Sequence, residues 1–494
     1  MVSSLLPFIT LLVPFVFAVA VSGIGLFSRK FQDGIALGGI ILTLILIMLM
    51  IPPILAGDVL VYEPLGIFFD GMGLLMAILI GILGVVAITY SVGYMPHEVL
   101  RANLAPKKLT LYYPFLLTFI GALLGITFTN NILVLWVILE AATPISAILI
   151  FFLWQPHSLE AGYKYIILIS VGMVFSLLGV FIVFDLTGQL GLLAIANVIP
   201  KLEIPPITLK LMTAFFIIGF GVKAGLVPFH AWLPDAHSTA PSPISALISG
   251  ILVAMGIYAL VRVIYVIYVP LGGWEIGPFL TAFGALSMIA GILLALAQDD
   301  LKRMIAYSTI SCMGYVILGL GLGTSSGILG GLFYLVSHAL FKALLFLCAG
   351  AVIYRVGTRK ISEMGGLFRS MPVTAVLFLI GTFSIAGFPP FNGFVSKLII
   401  YFAVIDAGYP VLAIIAIIVS VLTAATFLRA AHGIFFGEIP KRLTNPTNIK
   451  EAPLVLLGPM IVLAALCILF GIQPEILTGL LKLSANSLLG LVGG

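Results

Sequence analysis

The sequence predicts an all-α protein that crosses a membrane about 14 times. Three observations carry that reading. Of 494 residues, 62% are hydrophobic and only 8% charged, with a mean hydropathy of +1.28, against about 45–50% and 25% in soluble domains. The apolar runs reach the roughly 20 residues that a helix needs to cross a bilayer. The basic residues collect in alternate connections between those runs.

The runs fall at roughly 4–26, 34–55, 67–92, 111–129, 131–153, 164–185, 207–237, 240–268, 277–298, 302–323, 327–354, 372–402, 409–436 and 452–472. The first begins MVSSLLPFITLLVPF, without a basic leader or a small-residue cleavage site, and reads as a spanning helix rather than a signal peptide. Runs 207–237 and 372–402 are too long and too interrupted for one straight helix. Pro228 breaks the former and Pro389-Pro390 the latter.

Connections after odd-numbered spans hold Arg29, Lys30, Arg101, Lys107, Lys108, Lys164, Lys302, Arg303, Arg355, Arg359, Lys360, Arg369, Lys441, Arg442 and Lys450. The opposite side holds Lys201, Lys210, Arg262 and Lys482. The asymmetry places the first set in the cytoplasm and both termini outside. The net charge of +5 follows from these loops and implies no nucleic-acid partner. Cys312, Cys348 and Cys467 form no C-x-x-C pair, so neither a metal cluster nor a disulfide framework is indicated.

The chain divides into 1–110 with spans 1–3, 111–268 with spans 4–8, 269–436 with spans 9–13, and 437–494 with the last helix and tail. Spans 4–8 and 9–13 are blocks of five, an odd number, so a second copy would be inverted. In each block the fourth span is interrupted and carries a lysine near the break, Lys223 or Lys397. Inverted repeats with discontinuous helices point to an ion site near the midplane.

Three lysines lie too deep to reach water easily: Lys223, Lys342 and Lys397. Each costs about 2.5–3.5 kcal/mol on insertion scales. Arg429 lies near the end of its span and can snorkel. Among acids, Glu140 in NNILVLWVILEAATPISAILIFF is the intramembrane case, while Asp70 and Asp185 sit at helix ends, where capping or solvation accounts for them. Loss of water penalises both members of a Lys223–Glu140 pair and proximity stabilises both. Small movements would then load and unload the lysine; the alternative is a static pair holding two helices together. Proline adds a second ingredient, bared backbone. Pro228 leaves the carbonyl of Ala224 without its helical partner, Pro144 that of Glu140, and Pro389 and Pro390 those of Ile385 and Ala386. Bare carbonyls at membrane depth persist only against protein groups or a hydrated cavity.

His338 and Lys342 are one turn apart on the same helix face. His230, Trp232, Asp235 and His237 form H-x-W-x-x-D-x-x-H, which reads as a capped, hydrated helix end rather than a metal site. Asp299, Asp300, Lys302 and Arg303 form a short turn with the acids at a helix N-terminus. Ser249, Lys302 and Ser311, with His230, Asp235 and His237, complete a supporting polar path. No nucleotide-binding motif, haem or iron–sulfur ligand set, or soluble domain is legible. The chain reads as one that cannot power transport by itself, from nucleotide or from electrons, with no cofactor of its own.

The strings VKAGLVPFHAWLPDAH, PSPISALISGILVAMGIYALVR, QDDLKRMIAYSTIS, HALFKALLFLCAG and GFPPFNGFVSK resemble the antiporter-like proton-pumping subunits of respiratory complex I, Mrp cation/proton antiporters and membrane-bound hydrogenases. The resemblance spans about residues 70–440, and LEAATPISAILI and SLEAGYKYIILISVGM resemble most the large subunit of the hydrogenase branch. It implies a non-enzymatic, ion-translocating subunit with 14 core helices, inverted repeats of spans 4–8 and 9–13, and broken helices 7 and 12. It further implies that Glu140, Lys223, His338 with Lys342, and Lys397 lie on a polar axis carrying protons or sodium ions. The implied partners are other integral membrane subunits and a peripheral redox arm whose subunits carry iron–sulfur clusters, in a prokaryotic cell membrane. A stand-alone or Mrp-type sodium/proton antiporter is the alternative. Two positions depart from the family pattern: Ala254 stands where a lysine is usual, and Cys312 where many members have histidine. A water chain past Ser249, Ala254 and Gly256 would bridge the first gap; a divided path, with each repeat carrying its own ion, is the other solution.

Overall fold

The computed structural model describes residues 1–25, 28–440 and 449–489. Thirteen helices among them are long and apolar enough to cross a membrane. Spans 1 to 6 are Leu6–Ile24, Arg29–Leu55, Gly71–Arg101, Pro106–Thr127, Ile132–Ile150 and Pro156–Thr187. Span 7 begins with Pro206–Ala224, and spans 8 to 11 are Ser242–Tyr268, Gly277–Leu296, Leu301–Gly321 and Ser325–Val356. Spans 13 and 14 are Pro410–Phe436 and Leu454–Ile472. Span 12 consists of two halves of 15 residues each, Pro372–Ala386 and Asn392–Asp406. Every expected run has its helix, and the two marked as interrupted are the two that break.

The breaks are built alike. Each reads Ala-Gly-x-x-Pro-Phe, at 224–229 and 386–391. Gly225 and Gly387 end the first half-helices at φ +66° and +81°, a conformation that glycine adopts without cost. Leu226 N–H then reaches back to the Gly221 carbonyl, and Phe388 N–H to that of Phe383, at 3.0 Å each, the hydrogen bonding of a glycine-capped helix end. A cis peptide precedes Pro228 and Pro390. Span 7 resumes at Trp232–Thr239.

Burial sorts the spans. The apolar windows of spans 8 and 11 are wholly buried and that of span 10 is 94% buried, whereas spans 1, 2 and 13 bury only about a third of theirs. Polar side chains on spans 8, 10 and 11 are therefore sealed from lipid by protein.

Two features were not legible in the sequence. Strands Leu60–Tyr62 and Ile67–Phe69 pair antiparallel, and Val2–Ser3 joins them in parallel. A 15-residue helix, Glu475–Leu489, buries Leu477, Leu481, Ala485 and Leu488 on one face. Its Ser484 donates to the Gly71 carbonyl at 3.0 Å.

Some charges sit differently from expectation. Span 6 starts at Pro156, so Lys164 belongs to its opening turns and pairs with Glu160 at 2.6 Å. Arg262, read as a loop residue, is 3% exposed within span 8 and pairs with Asp70, also 3% exposed. Asp70 does cap span 3, accepting from Gly73 N–H at 2.9 Å, and it neutralises a buried guanidinium as well. Removing one member of a buried pair strands the other. Arg262→Met should therefore cost about 3–5 kcal/mol, measured as a lower melting temperature in detergent. Adding Asp70→Asn, which keeps the cap, should return most of that loss; equal melting of single and double variants would mean the pair carries no stability.

Candidate ion-translocation site

The three deep lysines share one chemistry. Lys223, fully buried, donates to the Leu139 carbonyl at 3.0 Å and to the Thr143 hydroxyl, both on span 5. Lys342, fully buried, donates to the Ile305 carbonyl at 2.9 Å and to the Ser308 hydroxyl, both on span 10. In both cases a carbonyl and a hydroxyl three or four residues later offer one acceptor pair on a single helix turn. Lys397, 2% exposed, donates to the carbonyls of Ile385 and Ala386 at 2.9 and 3.3 Å and to the Ser420 hydroxyl at 2.8 Å. These are the carbonyls that Pro389 and Pro390 set free. Among the described residues, no carboxylate lies within 4.0 Å of any of the three amines.

Glu140 makes no direct ion pair with Lys223. It is half-buried, and one carboxylate oxygen accepts from Ser170 of span 6 while the other has no partner. Lys223 grips the carbonyl of the preceding residue instead, so the two charges act on each other through space.

Around Lys342 the path is better connected. His338, fully buried, shares a 3.0 Å hydrogen bond with the Ser249 carbonyl. That carbonyl belongs to a π-helix over Ile248–Leu252 in span 8, a geometry common at functional sites. The Ser249 hydroxyl pairs with that of Thr309 at 2.9 Å. His237 is fully buried against Phe346, both ring nitrogens unpartnered, within electrostatic range of Lys302, Lys342 and His338. It is no hydrated helix end; the chain folds back there into span 8. Lys302, 3% exposed, donates to the Ala240 carbonyl and lines a 430 Å³ polar cavity with Glu98, Arg101, His157, Asp300 and Arg359. The cavity opens on the face carrying the basic loops.

Two tyrosine rings flank the Lys397 amine. Tyr334 donates to the Cys312 sulfur at 3.4 Å, and the Lys397 amine lies 4.9 Å from the Tyr315 ring centre and 5.9 Å from that of Tyr334. Cys312 thus keeps a polar contact where a histidine was expected. A 290 Å³ pocket lined by Lys397, Tyr401 and Ser420 opens beside this end.

Other expected residues do not join the path. Asp235 forms ion pairs with Arg303 at 2.9 Å and Lys164 at 3.6 Å. His230 is half-buried within the break, its Nδ1 unpartnered. Ser311 packs against Gly291 of span 9, and Ser308, one turn earlier, meets Lys342 instead. No group of three His, Cys, Asp or Glu among the described residues could hold a metal ion. Thr143, Ser170, Ser308 and Ser420 were missed; hydroxyls three or four residues from a helix carbonyl are too common in sequence to single out.

A family model described as "NADH:quinone oxidoreductase/Mrp antiporter, TM" matches residues 129–423, more than half of the chain. The chain belongs to this antiporter-like membrane-subunit family. A second model, for the N-terminus of complex I chain 5, matches residues 63–102. NADH-quinone oxidoreductase subunit N of Desulforudis audaxviator is 31% identical, over 81% of this chain and 80% of that protein. One Na(+)/H(+) antiporter protein of Alkalihalophilus pseudofirmus is 32% identical, over 83% of this chain and 81% of that one. A longer Na(+)/H(+) antiporter protein of the same organism is 34% identical, and the chain spans about half, 53%, of its length. In structure, a chain of the archaeal membrane-bound sulfane sulfur reductase superposes with a TM-score of 0.86 at 25% identity, covering 98% of both chains. A chain of respiratory complex I from Thermus thermophilus gives 0.81, also at 25% identity, covering 98% of this chain and 99% of that one.

At Ala254 the antiporter-like subunit keeps its departure from the pattern, and the side chain is fully buried. Gly256 nearby leaves no water-sized room: a Cβ there would lie 2.6 Å from the Ala224 nitrogen. Glycine here lets span 8 touch the end of the first half of span 7, backbone to backbone. Gly256→Ala should push the spans apart and cost about 1–3 kcal/mol, while Gly273→Ala, with open space around it, should leave thermal stability in detergent unchanged.

Proposed function

We propose that this antiporter-like subunit moves protons, or sodium ions against protons, through a multisubunit prokaryotic membrane complex driven by a redox reaction. One observation carries the reading: three lysines buried at membrane depth are held by carbonyls and hydroxyls and by no counter-ion. A purely structural lysine in hydrocarbon would be paired. Neutral acceptors solvate the charged amine through their dipoles, and the neutral amine can still donate to them. Neither protonation state is prohibitively costly, which suits a site that loads and unloads a proton.

On this reading the basic loops are cytoplasmic, both termini lie outside, and the cavity above Lys302 admits protons. They pass by His237 to the His338–Lys342 pair, and on past Tyr334 and Tyr315 to Lys397. Lys223 is a second loading site, biased through space by Glu140. The relatives named for NADH–quinone oxidoreductase and for respiratory complexes support a redox-driven partner set, and on this reading its peripheral arm carries the iron–sulfur clusters. The chain itself supplies the ion path and holds no redox centre. The similarity to Mrp-type proteins supports a second reading, exchange by an antiporter without a redox partner. Electroneutral sodium–proton exchange by the purified chain alone in liposomes, at the rate of the intact membrane, would favour that second reading over the first.

In membranes where the complex turns over, Lys223→Ala, Lys342→Ala and Lys397→Ala should each abolish the ion gradient reported by a pH-sensitive dye, with the complex still assembled. Glu140→Gln should weaken it strongly. A full gradient in assembled Lys397→Ala membranes would reduce that lysine to a packing charge.

Ala254 tests continuity between the two halves. A water-filled passage requires Ala254→Leu to slow transport and tolerates Ala254→Lys. A divided path leaves Ala254→Leu fully active, and the same dye assay separates the two.

A further inference from the structure

The lipid-facing side of the span 7 break holds an unassigned groove. It lies between the first half of span 7 and the start of span 9, with a volume of about 560 Å³. Leu209, Ile217, Ile218, Phe279 and Phe283 form its apolar walls, and Pro228 and Phe229 close its inner end. Its mouth carries two exposed charges of opposite sign, Lys210 and Glu275. They are not within 4.0 Å of each other or of any other opposite charge among the described residues. Lys210 is one of few basic residues on the face opposite the basic loops.

We infer that this groove seats one acyl chain of a phospholipid whose headgroup bears both a phosphate and an ammonium, as in phosphatidylethanolamine. Lys210 meets the phosphate and Glu275 the ammonium. The dimensions fit a single chain. From Lys210 to Ile218 the helix rises about 12 Å, close to the ~15 Å of hydrocarbon in one leaflet. A wholly anionic headgroup would leave Glu275 facing a like charge. Pro228 is exposed to the groove, where it presents an apolar ring and no N–H, and the preceding Val227 N–H is already taken up by the Ser287 hydroxyl at 3.2 Å. A resident chain covers the break five residues from Lys223. The inference does not depend on the translocation reading.

The full chain, purified in detergent, is exposed to phosphatidylethanolamine bearing a photoreactive group at mid-chain, and labelled residues are mapped by mass spectrometry. Labelling should concentrate on Ile217, Phe229 and Phe283, and unlabelled phosphatidylethanolamine should compete about fivefold better than phosphatidylglycerol, the worth of one headgroup charge contact. Glu275→Gln, an exposed change that leaves the fold intact, should erase the preference between headgroups, and Ile217→Trp should fill the groove and remove the labelling. Equal labelling of Ile167 and Val171 on span 6, equal competition by the two lipids, or cross-linking of the groove to a protein subunit in the intact complex would each overturn the assignment.

Discussion

An ammonium group removed from water must find oxygen dipoles, and in a bilayer only protein can supply them. That requirement shapes the centre of this molecule three times over. Each of Lys223, Lys342 and Lys397 is met by one or two main-chain carbonyls and one hydroxyl. A carboxylate would hold each proton firmly; uncharged acceptors hold it less firmly. The surrounding architecture can be understood as the means of presenting those acceptors and keeping lipid away from them.

One backbone device frees carbonyls for a lysine, and two others expose carbonyls to neighbouring rings. At span 12, proline removes the N–H groups that would have engaged Ile385 and Ala386, and Lys397 takes their place. At span 8, the Ser249 carbonyl of a π-helix meets His338. At span 7, the break lets Trp232 donate to the Val222 carbonyl at 2.8 Å while the chain doubles back to bury His237. The carbonyls bared at these irregularities need protein rather than lipid around them. Spans 8, 10 and 11 are the most deeply buried in the molecule, so those helices carry most of the polar path without meeting hydrocarbon.

The two halves are not equally continuous. His237 lies within electrostatic range of Lys302, His338 and Lys342, and the rings of Tyr334 and Tyr315 flank Lys397. Lys223 and Glu140 stand apart, separated from His338 by the apolar middle of span 8, where Ala254 and Gly256 pack tightly. The close backbone contact at Gly256 gives the first block a stiff boundary with the second, and leaves communication between them to electrostatics or to movement of the span 7 break.

Sequence alone determined the membrane class, the order of the spans, the positions of both breaks and the identity of the three lysines. Those follow from long apolar runs, from proline and glycine, and from charges whose burial is costly wherever they stand. It also identified the carbonyls at Ile385 and Ala386, because the effect of proline on hydrogen bonding is local. Only the tertiary structure decided the partners. Whether Lys223 meets Glu140 or the neighbouring turn depends on the rotation of span 5 against span 7, which no periodicity encodes. The choice of Ser308 over Ser311 depends on which face of span 10 turns to span 11. Arg262 was read as a loop charge because its partner, Asp70, lies 192 residues away, and the π-helix at Ile248–Leu252 leaves no mark in composition. Long-range packing set each of these, and packing is the part of the fold that a linear reading does not contain.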